Sequence, residues 1–241
     1  MTKIIFFDTE TTGNEPKDFL CQIAYKFAGV GGEKFNELYS TPIRIPPEAS
    51  AVHHITNKMI AGKPLFGESP DREKIKKLFE DKDTVVVAHN ATFDLMIIKK
   101  EDIVPANFIC TLRVARALDP DGKIERYNLQ YLRYLLEIEV EAQAHDAMGD
   151  VMVLEQLFER LLKKIMETEN IDEAEAIKQM IEISSHPSLL VTINFGKHAG
   201  KKVEEVARID KGYLEWLLAE KLKSDALDED WIYTLKYYLN K

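Results

Sequence analysis

The amino-acid sequence predicts an α/β fold, and three features of the 241-residue chain indicate it. The first is an apolar run at residues 4–7, which is typical of a buried central strand. The second is a pair of extended segments, 19–29 and 33–45, whose glycine-containing connection predicts antiparallel hairpin strands. The third is that short apolar strands predicted at 84–89 and 108–110 are each followed directly by a helical pattern.

The remaining elements follow from apolar spacing and from the residues that break it. Pro46 and Pro47 are expected to end the third strand. Residues 51–56 are expected to form a loop that leads into a short helix with Thr56 as its N-cap. The spacing predicts helices over 71–80, 93–99, 111–118, 128–136, 146–166 and 172–183.

A linker is predicted at residues 184–188, Ser-Ser-His-Pro-Ser. We therefore expect one domain over residues 1–185, with its core in 1–166 plus an extra helix. A small C-terminal domain is expected over residues 186–241. Within it, 189–195 resembles a strand, and two amphipathic helices follow.

Composition and charge restrict the class of protein. The chain is 45% hydrophobic and 30% charged, which is typical of a globular protein, and no apolar run approaches the ~20 residues of a membrane span. Since the N-terminus lacks a signal-peptide pattern, we expect a cytoplasmic protein. Cys21 and Cys110 have no metal-binding spacing, and we expect both to be reduced thiols in the core. The net charge of −9 argues against a broad electrostatic nucleic-acid binder. It is compatible with an enzyme that holds a nucleic-acid end through metals and a few contacts.

Two carboxylates, Asp8 and Glu10, end the first strand. Alternation along a strand places both on the same face, about 7 Å apart. Carboxylates at the end of a buried strand need compensation, and a divalent cation is the simplest one. The first ten residues alone support this metal site and a simple polar loop equally.

Two further acids, Asp94 and Asp150, lie on helical faces that otherwise carry apolar residues. Asp146, one turn before Asp150, is better explained as the N-cap of that helix. Four misplaced acids near strand ends and helix starts indicate convergence on metal. Since all are oxygen ligands, Mg²⁺ or Mn²⁺ is favoured over zinc, and such a cluster suits a two-metal phosphoryl-transfer site.

His145 directly precedes the N-cap of the same helix. A histidine there can accept a proton from an activated water, because its ordinary pKa is about 6.5. A lone histidine is more often a surface or capping residue, but its neighbourhood favours the functional interpretation.

Three motifs now resemble those of the DnaQ-like, DEDDh-type 3′–5′ exonucleases, in the family's order and over roughly residues 1–165. The exonuclease X group is the most similar, and residues 195–201 resemble a C-terminal extension found on some members. The motifs are Asp8-x-Glu10-Thr-Thr-Gly, His89-Asn90-Ala91-x-Phe93-Asp94 and His145-x-Ala147-x-x-Asp150.

The resemblance implies a ribonuclease H-like fold, a mixed five-stranded sheet flanked by helices. It implies that two Mg²⁺ or Mn²⁺ ions are held by four ligands, with His145 as the general base. It places Thr11, Asn90 and Phe93 near the terminal nucleotide, although Phe93 fits a core role as well. The resemblance implies that four acids are both metal ligands and catalytic residues: Asp8, Glu10, Asp94 and Asp150.

A loop after the first motif, Val52-His53-x-Ile55-Thr56, also resembles the family, and it implies a contact between His53 and the terminal phosphate or sugar. Position 54 departs from the family pattern, because His54 stands where glycine is common. Glycine takes positive φ at lower cost than histidine, so we expect a loop of different shape.

The resemblance implies hydrolysis of the last phosphodiester at a 3′ end, with release of nucleoside 5′-monophosphates. We expect a nucleic acid with a free 3′ end as partner, DNA in preference to RNA, as a single strand or frayed end in DNA repair, and no membrane. Three alternatives stay open: an exoribonuclease, a polymerase-associated proofreading subunit, and a non-catalytic nucleic-acid-binding module. No particular polymerase or repair partner is indicated.

The C-terminal residues leave their role open. Lys197, Lys201 and Lys202 surround two glycines and fit a phosphate-binding loop, but the spacing is not that of a P-loop, and a solvated basic turn fits better. Our hypothesis is that this domain adds grip on nucleic acid.

Overall fold

The sheet is mixed and has five strands in the order β3-β2-β1-β4-β5. This computed structural model describes residues 2–140, 146–223 and 228–240. Strands β1, β2 and β3 are antiparallel neighbours, while β4 and β5 run parallel to β1. The predicted fold class is therefore confirmed. The strands are β1 (Lys3–Thr11), β2 (Leu20–Phe27), β3 (Lys34–Leu38), β4 (Thr84–Ala88) and β5 (Phe108–Cys110).

Helices cover both faces of this sheet. Helix α6 packs against β1 and β2, and α7 packs against β5 and α4. Helices α2 and α3 contact β4. The helices of this larger unit are α1 (Pro47–His53), α2 (Pro70–Phe79), α3 (Ala91–Lys100), α4 (Thr111–Ala117), α5 (Leu129–Leu135), α6 (Ala147–Glu169) and α7 (Glu173–Ser185).

Side-chain alternation along β1 divides the core into two layers. Phe6 belongs to the layer under α6 and meets Phe158 edge-on, with ring centroids 5.3 Å apart. Ile5 and Phe7 belong to the opposite layer, where Phe7 meets Phe79 of α2. Because side chains alternate, the even-numbered residues that follow Phe6 point toward the α6 side of the sheet. This alternation sets the direction of the acidic side chains at the end of β1.

The C-terminal unit has a hydrophobic core of its own, formed by Ile193 and Leu214 with Trp231 and Leu235 among others. It contains α8 (Val203–Ile209), α9 (Lys211–Lys223) and α10 (Glu229–Leu239), so the prediction of two helices was one too few.

The predicted strand at 189–195 is also wrong for the described residues, which show only an isolated bridge between Thr192 and Lys202. Gly196 and Gly200 adopt positive φ and turn the chain back within a few residues, which leaves no length for a ladder.

The loop after β3 differs from its prediction as well. A helix, α1, precedes Thr56 and begins at Pro47, whereas Thr56 lies beyond its end and caps no helix. Proline is pre-organised for the first helical position, so Pro46 and Pro47 begin α1. They do not end the third strand as predicted, because β3 already ends at Leu38. No helix in the described ranges is both long and apolar enough to cross a lipid bilayer. Both cysteines are free and buried, as predicted.

Candidate active site

Three carboxylates converge at the end of the central strand. One oxygen each from Asp8, Glu10 and Asp150 lies within 4.8 Å of the others. Asp8 and Glu10 share the side of β1 that carries Phe6, and Asp150 comes from the first turn of α6, which packs there. Strand alternation and the position of α6 therefore bring together three of the four acids that the sequence singled out.

The fourth acid, Asp94, is held from the other side of β1. Its Oδ1 accepts hydrogen bonds from the backbone N–H of Thr9, at 3.0 Å, and from the Thr9 hydroxyl, at 2.7 Å. Thr9 points away from Asp8 and Glu10 because it is the odd member of the alternation. Asp94 is 3% exposed and lies outside the tight trio, but it is close enough for its charge to act on Asp8. Both bonds fix the carboxylate in one orientation.

The cluster is electrostatically strained without a cation. Burial, followed by the charges of Asp94, Glu10 and Asp150, holds the pKa of Asp8 well above its ordinary value. Burial and then the charge of Asp150 raise the pKa of Glu10 to about 8. Burial raises the pKa of Asp94 to about 7, although the hydrogen bonds from Thr9 oppose this. A cluster of hard oxygen donors that resist ionisation side by side fits divalent cations, which would relieve the repulsion.

The start of α6 is fixed by Asp146, as predicted. The Asp146 carboxylate accepts a hydrogen bond from the backbone N–H of Gly149, so Asp146 is the N-cap of the helix. This cap sets the position of Asp150 in the first turn. His145, the predicted general base, lies among residues 141–145, outside the described part of the chain.

Gln130 is a site residue that the sequence analysis missed. Its side-chain amide on α5 donates to Oδ1 of Asp150 at 2.5 Å, and Arg133 donates to its Oε1 at 3.4 Å. Arg133 in turn donates to the carbonyl of Val140 at 2.6 Å. No motif or misplaced charge marks a glutamine on an ordinary helix, so only the packing of α5 on α6 identifies it.

Thr11 and His53 are joined at the bulge that ends β1. The Nε2–H of His53 donates to the Thr11 carbonyl at 3.2 Å, and its Nδ1 accepts from the backbone N–H of Ile55 at 3.0 Å. Both ring nitrogens are thus used by the backbone, and burial lowers the pKa of His53. The Thr11 hydroxyl donates to the carbonyl of Gly13. In the structure these two side chains brace the loop; their contact with a nucleotide remains a prediction.

His54 adopts the backbone conformation that glycine would favour. It ends α1 with φ of 63°, in the left-handed region, and its side chain is exposed. The departure from the family pattern is therefore accommodated by a strained backbone at one residue, at a cost of about 1 kcal/mol.

The turn after Glu10 is closed around Asp18. Its carboxylate accepts from the Thr12 hydroxyl at 2.9 Å and from the backbone N–H of Glu15 at 2.8 Å. A Cβ on Gly13 would stand 2.5 Å from an oxygen of Asp18. A side chain at this position would push the Asp18 carboxylate out of these hydrogen bonds, so glycine is favoured here.

Asn90 and Phe93 lie where the second motif enters α3. Asn90 is exposed with φ of 60°, and Phe93 is half-buried against the core layer below α2 and α3. His89 is structural: its Nε2–H donates to the carbonyl of Tyr127 at 2.7 Å, and burial lowers its pKa to about 4. Asn90 and Phe93 also line a groove, which leaves them available to a ligand.

Fold and site together define a class. A mixed sheet whose central strand gathers carboxylates with a neighbouring helix is the arrangement of the ribonuclease H-like nucleases, as the resemblance implied. The family model described as exonuclease matches residues 5–158, and a model for the exodeoxyribonuclease X-like C-terminal region matches residues 193–221. The chain belongs to this exonuclease family, and the protein is an exonuclease.

Individual relatives agree with the family. The chain is 34% identical over 196 residues to exodeoxyribonuclease 10 of Escherichia coli strain K12, covering 81% of this chain and 80% of that protein. It is 34% identical over 167 residues to the DNA polymerase III subunit epsilon of Treponema pallidum, covering 65% of this chain and 74% of that one.

Solved structures show the same fold. Exonuclease X in complex with 5′ overhanging duplex DNA aligns with a TM-score of 0.58 at 26% identity, over 75% of this chain and 99% of that one. E. coli exonuclease I in complex with a dT13 oligonucleotide aligns with a TM-score of 0.59 at 22% identity, over 70% of this chain and 43% of that one.

Proposed function

We propose that this protein is a 3′–5′ exodeoxyribonuclease that removes nucleoside 5′-monophosphates from the 3′ end of DNA. The observation that carries the proposal is the trio of oxygens from Asp8, Glu10 and Asp150 within 4.8 Å. Three carboxylates this close, on a fold of this class, serve phosphoryl transfer better than they serve stability, because they repel one another.

Four residues would hold two Mg²⁺ or Mn²⁺ ions: the trio and Asp94. When bound, such ions supply activation of the attacking water and stabilisation of the leaving 3′ oxygen. The chain's own residues prepare the ligands for this. Thr9 fixes Asp94 through two hydrogen bonds, and Gln130 fixes one oxygen of Asp150.

Proton transfer and nucleotide contact are assigned to residues beside the acids. His145 would accept the proton of the attacking water, since an imidazole titrates near neutral pH. Asn90 and Phe93 would contact the terminal nucleotide, Phe93 through stacking. Thr11 and His53 would shape the opposite side of the pocket, because they brace the turn that follows Glu10.

DNA is the preferred substrate in this proposal. It is supported by the similarity to exodeoxyribonuclease 10 and to exonuclease X bound to 5′ overhanging duplex DNA. Because a free 3′ end has to reach the acids, the substrate in this proposal is a 3′ end that is single-stranded or frays from a duplex. The similarity to polymerase III epsilon subunits supports a second candidate, a proofreading subunit, which differs in its partner but not in its chemistry. Stable co-purification with a polymerase would favour that candidate.

The test is a cleavage assay with 5′-labelled single-stranded DNA and RNA of one sequence. We expect Mg²⁺ to support a ladder that shortens from the 3′ end, faster on DNA, and EDTA to abolish it. His145→Ala should lower the rate by about 10²- to 10⁴-fold, which is the usual contribution of a general base. His186→Ala, at an exposed histidine that pairs with Glu182, should leave the rate unchanged.

Each outcome of this assay is informative. Intact substrate with both Mg²⁺ and Mn²⁺ would refute the exonuclease proposal for these polymers. Cleavage that prefers RNA would assign an exoribonuclease instead. A His145→Ala variant as active as the wild type would remove this histidine from the mechanism.

We also propose that the chain divides near residue 185 into the exonuclease domain, 1–185, and a C-terminal domain, 186–241. Two features support this division. The C-terminal unit has a separate core around Trp231, and the family models match residues 5–158 and 193–221 separately.

A further inference from the structure

A groove with a volume of about 1680 Å³ is lined by both parts of the chain. Asn90 and Phe93, at the start of α3, line it, and so do Val191, Lys202 and Trp231 of the C-terminal unit. Small-molecule sites commonly measure ~300–1,000 Å³, so this groove is large enough for a segment of polymer. The same segment that carries Asp94 thus opens onto a surface that the C-terminal unit helps to build.

The two sides of this groove are in close contact at Gly122. This glycine has φ of 66°, and a Cβ there would stand 2.9 Å from Cβ of Val191 and 3.3 Å from the Thr192 hydroxyl. The loop between α4 and α5 therefore meets the first residues of the C-terminal unit with no space for a side chain. Such contact makes the groove a fixed feature of the fold.

The acids that line the groove are mostly neutralised by local partners. Asp119 is engaged by two backbone N–H groups and by the hydroxyl of Tyr127. The acids at the N-terminal end of α10 form ion pairs: Asp228, the N-cap, with Lys221, Glu229 with Arg113, and Asp230 with both Arg113 and Arg116. Their charges are thus largely compensated before any ligand arrives.

Three cations along the groove form no ion pair in the described part of the chain, although the charge of Asp121 acts on one of them, Lys202. Lys99, Arg126 and Lys202 are exposed, and within the described ranges of the chain their side chains form no ion pair or hydrogen bond. Among the acids that line the groove in the described ranges, Glu125 is likewise exposed and without an ion pair or hydrogen bond. The groove therefore offers an excess of free positive charge on a protein whose net charge is −9.

We propose that this groove holds the stretch of single-stranded DNA on the 5′ side of the terminal nucleotide. Lys99, Arg126 and Lys202 bind its phosphates, while Phe93 and the apolar residues beside Val191 face its bases. The C-terminal unit is then one wall of the substrate path. Phosphate contacts from free cations together with apolar surface for bases are the usual means of binding single strands. The inference rests on the proposed function, because the DNA in the groove is the same DNA whose 3′ end lies at the acids.

The experiment compares two triple variants of the full chain with equal change of charge. The groove variant is Lys99→Gln/Arg126→Gln/Lys202→Gln. The matched control is Lys82→Gln/Lys164→Gln/Lys178→Gln, at exposed lysines that do not line the groove. Binding of a 5′-fluorescein-labelled 12-nucleotide single strand is measured by anisotropy in EDTA, which prevents cleavage, at several salt concentrations.

We expect the groove variant to raise Kd by about 10- to 100-fold at 0.1 M salt and to lower the slope of log Kd against log salt by about 2, while the control stays near the wild type. Hydrolysis of the p-nitrophenyl ester of thymidine 5′-monophosphate, which occupies the terminal position alone, should be the same in all three proteins. Equal Kd values for the groove variant and the control would overturn the inference.

Failure of the proposed function gives a different result. In that case the wild type cleaves neither the ester nor the oligonucleotide, whatever the binding data show. A second variant, Gly122→Ala, tests the geometry independently of charge, because its Cβ must displace Val191. We expect weaker binding of the 12-nucleotide strand with unchanged ester hydrolysis. Unchanged binding by Gly122→Ala would overturn the inference that the C-terminal unit forms one wall of the DNA path.

Discussion

Single residues at the end of β1 store electrostatic repulsion that a cation can release. The pKa of Glu10 is raised to about 8 and that of Asp94 to about 7, in each case first by burial. The folded protein without metal therefore holds protons that the unfolded chain has already lost at neutral pH. A site of this kind trades stability for the capacity to bind metal.

This trade predicts how the stability of the metal-free protein depends on pH. A raised carboxyl pKa means that the folded state binds more protons, so the free energy of unfolding falls as pH rises. His89 acts in the opposite sense, since burial lowers its pKa to about 4, but its effect is complete above the ordinary value of 6.5. Between pH 6.5 and 8 the acids dominate, with at most about 1.4 kcal/mol per pH unit for each.

The measurement is urea unfolding in EDTA across that range, repeated with Mn²⁺. We expect stability to fall from pH 6.5 to 8 in EDTA and Mn²⁺ to restore more of it at pH 8 than at pH 6.5. The variant Asp8→Asn should flatten the EDTA profile, because it removes one of the repelling charges. A profile that rises with pH in EDTA would contradict this account of the cluster.

Gln130 provides a second prediction for a single residue. Because its amide orients Asp150, Gln130→Met should lower kcat by about tenfold with little change in KM or stability. Gln156→Met, at a residue whose side-chain amide donates to Glu159 on the surface of α6, serves as the control. A higher metal concentration for half-maximal activity in the Gln130 variant would distinguish positioning from packing. An unchanged kcat together with an unchanged metal requirement would assign Gln130 to structure alone.

The site could be predicted from sequence where one rule of periodicity decided it. Asp8 and Glu10 share a face because strand alternation requires it, and Asp150 follows a helix cap that also could be read in advance. Gln130 could not be predicted, since its role depends on how α5 crosses α6. The left-handed φ of His54 could not be predicted either, because a histidine adopts this conformation at a helix end only at the cost of backbone strain.

At the scale of elements, α6 is joined to β2 by a buried ion pair. Nζ of Lys26 lies 2.6 Å from both carboxylate oxygens of Glu155, and the two residues are 6% and 8% exposed. Lys26 also donates to the carbonyl of Gly29, whose N–H donates to Glu155. The pair fixes the hairpin between β2 and β3 against the helix that carries Asp150.

Glu155 shows a limit of reading acids on apolar faces. It lies four residues after Val151 and three before Phe158, so it meets the same criterion that identified Asp150. The criterion finds buried acids but does not say whether a metal or a lysine compensates them. Only the neighbouring strand, with Lys26 opposite Glu155, decides between the two.

We predict that breaking this pair is costly and that removing it entirely is not. Lys26→Met leaves a buried carboxylate without its cation and should lower the free energy of unfolding by about 3–5 kcal/mol. Lys26→Met/Glu155→Leu should recover most of that loss. The exposed pair Lys163–Glu167 on α6 is the control, where Lys163→Met should change stability by less than about 0.5 kcal/mol.

Urea denaturation of these variants measures the coupling directly. Equal destabilisation by the single and the double variant would mean that the hairpin is held by packing and that the ion pair contributes nothing specific.

At the scale of the whole molecule, two arginines on α4 join the exonuclease domain to the C-terminal unit. Asp230 of α10 pairs with Arg113 and Arg116 and accepts the backbone N–H of Ser188 at 2.8 Å. Arg113 is 5% exposed and also donates to the carbonyl of Ser184 at 2.8 Å. This junction was beyond sequence analysis, because the partners are more than a hundred residues apart and each looks like an ordinary surface charge.

The junction also decides whether the C-terminal wall of the groove stays in place. If Asp230 couples the two units, they unfold together in the wild type and separately once it is removed. Both tryptophans of the chain, Trp216 and Trp231, lie in the C-terminal unit, so fluorescence reports that unit alone while circular dichroism reports the whole chain. The two probes therefore distinguish coupled from independent unfolding in one protein.

We expect coincident urea transitions by both probes in the wild type. Asp230→Ala should shift the fluorescence transition to lower urea by the equivalent of about 2–3 kcal/mol. The substitution removes charged hydrogen bonds and thereby leaves the buried Arg113 incompletely paired. Glu204→Ala, at an exposed residue of the same unit that pairs with Arg208, should leave the transitions coincident. If Asp230→Ala also keeps them coincident at the wild-type midpoint, the two units are held together by apolar contact, and the wall of the groove does not depend on this ion-pair network.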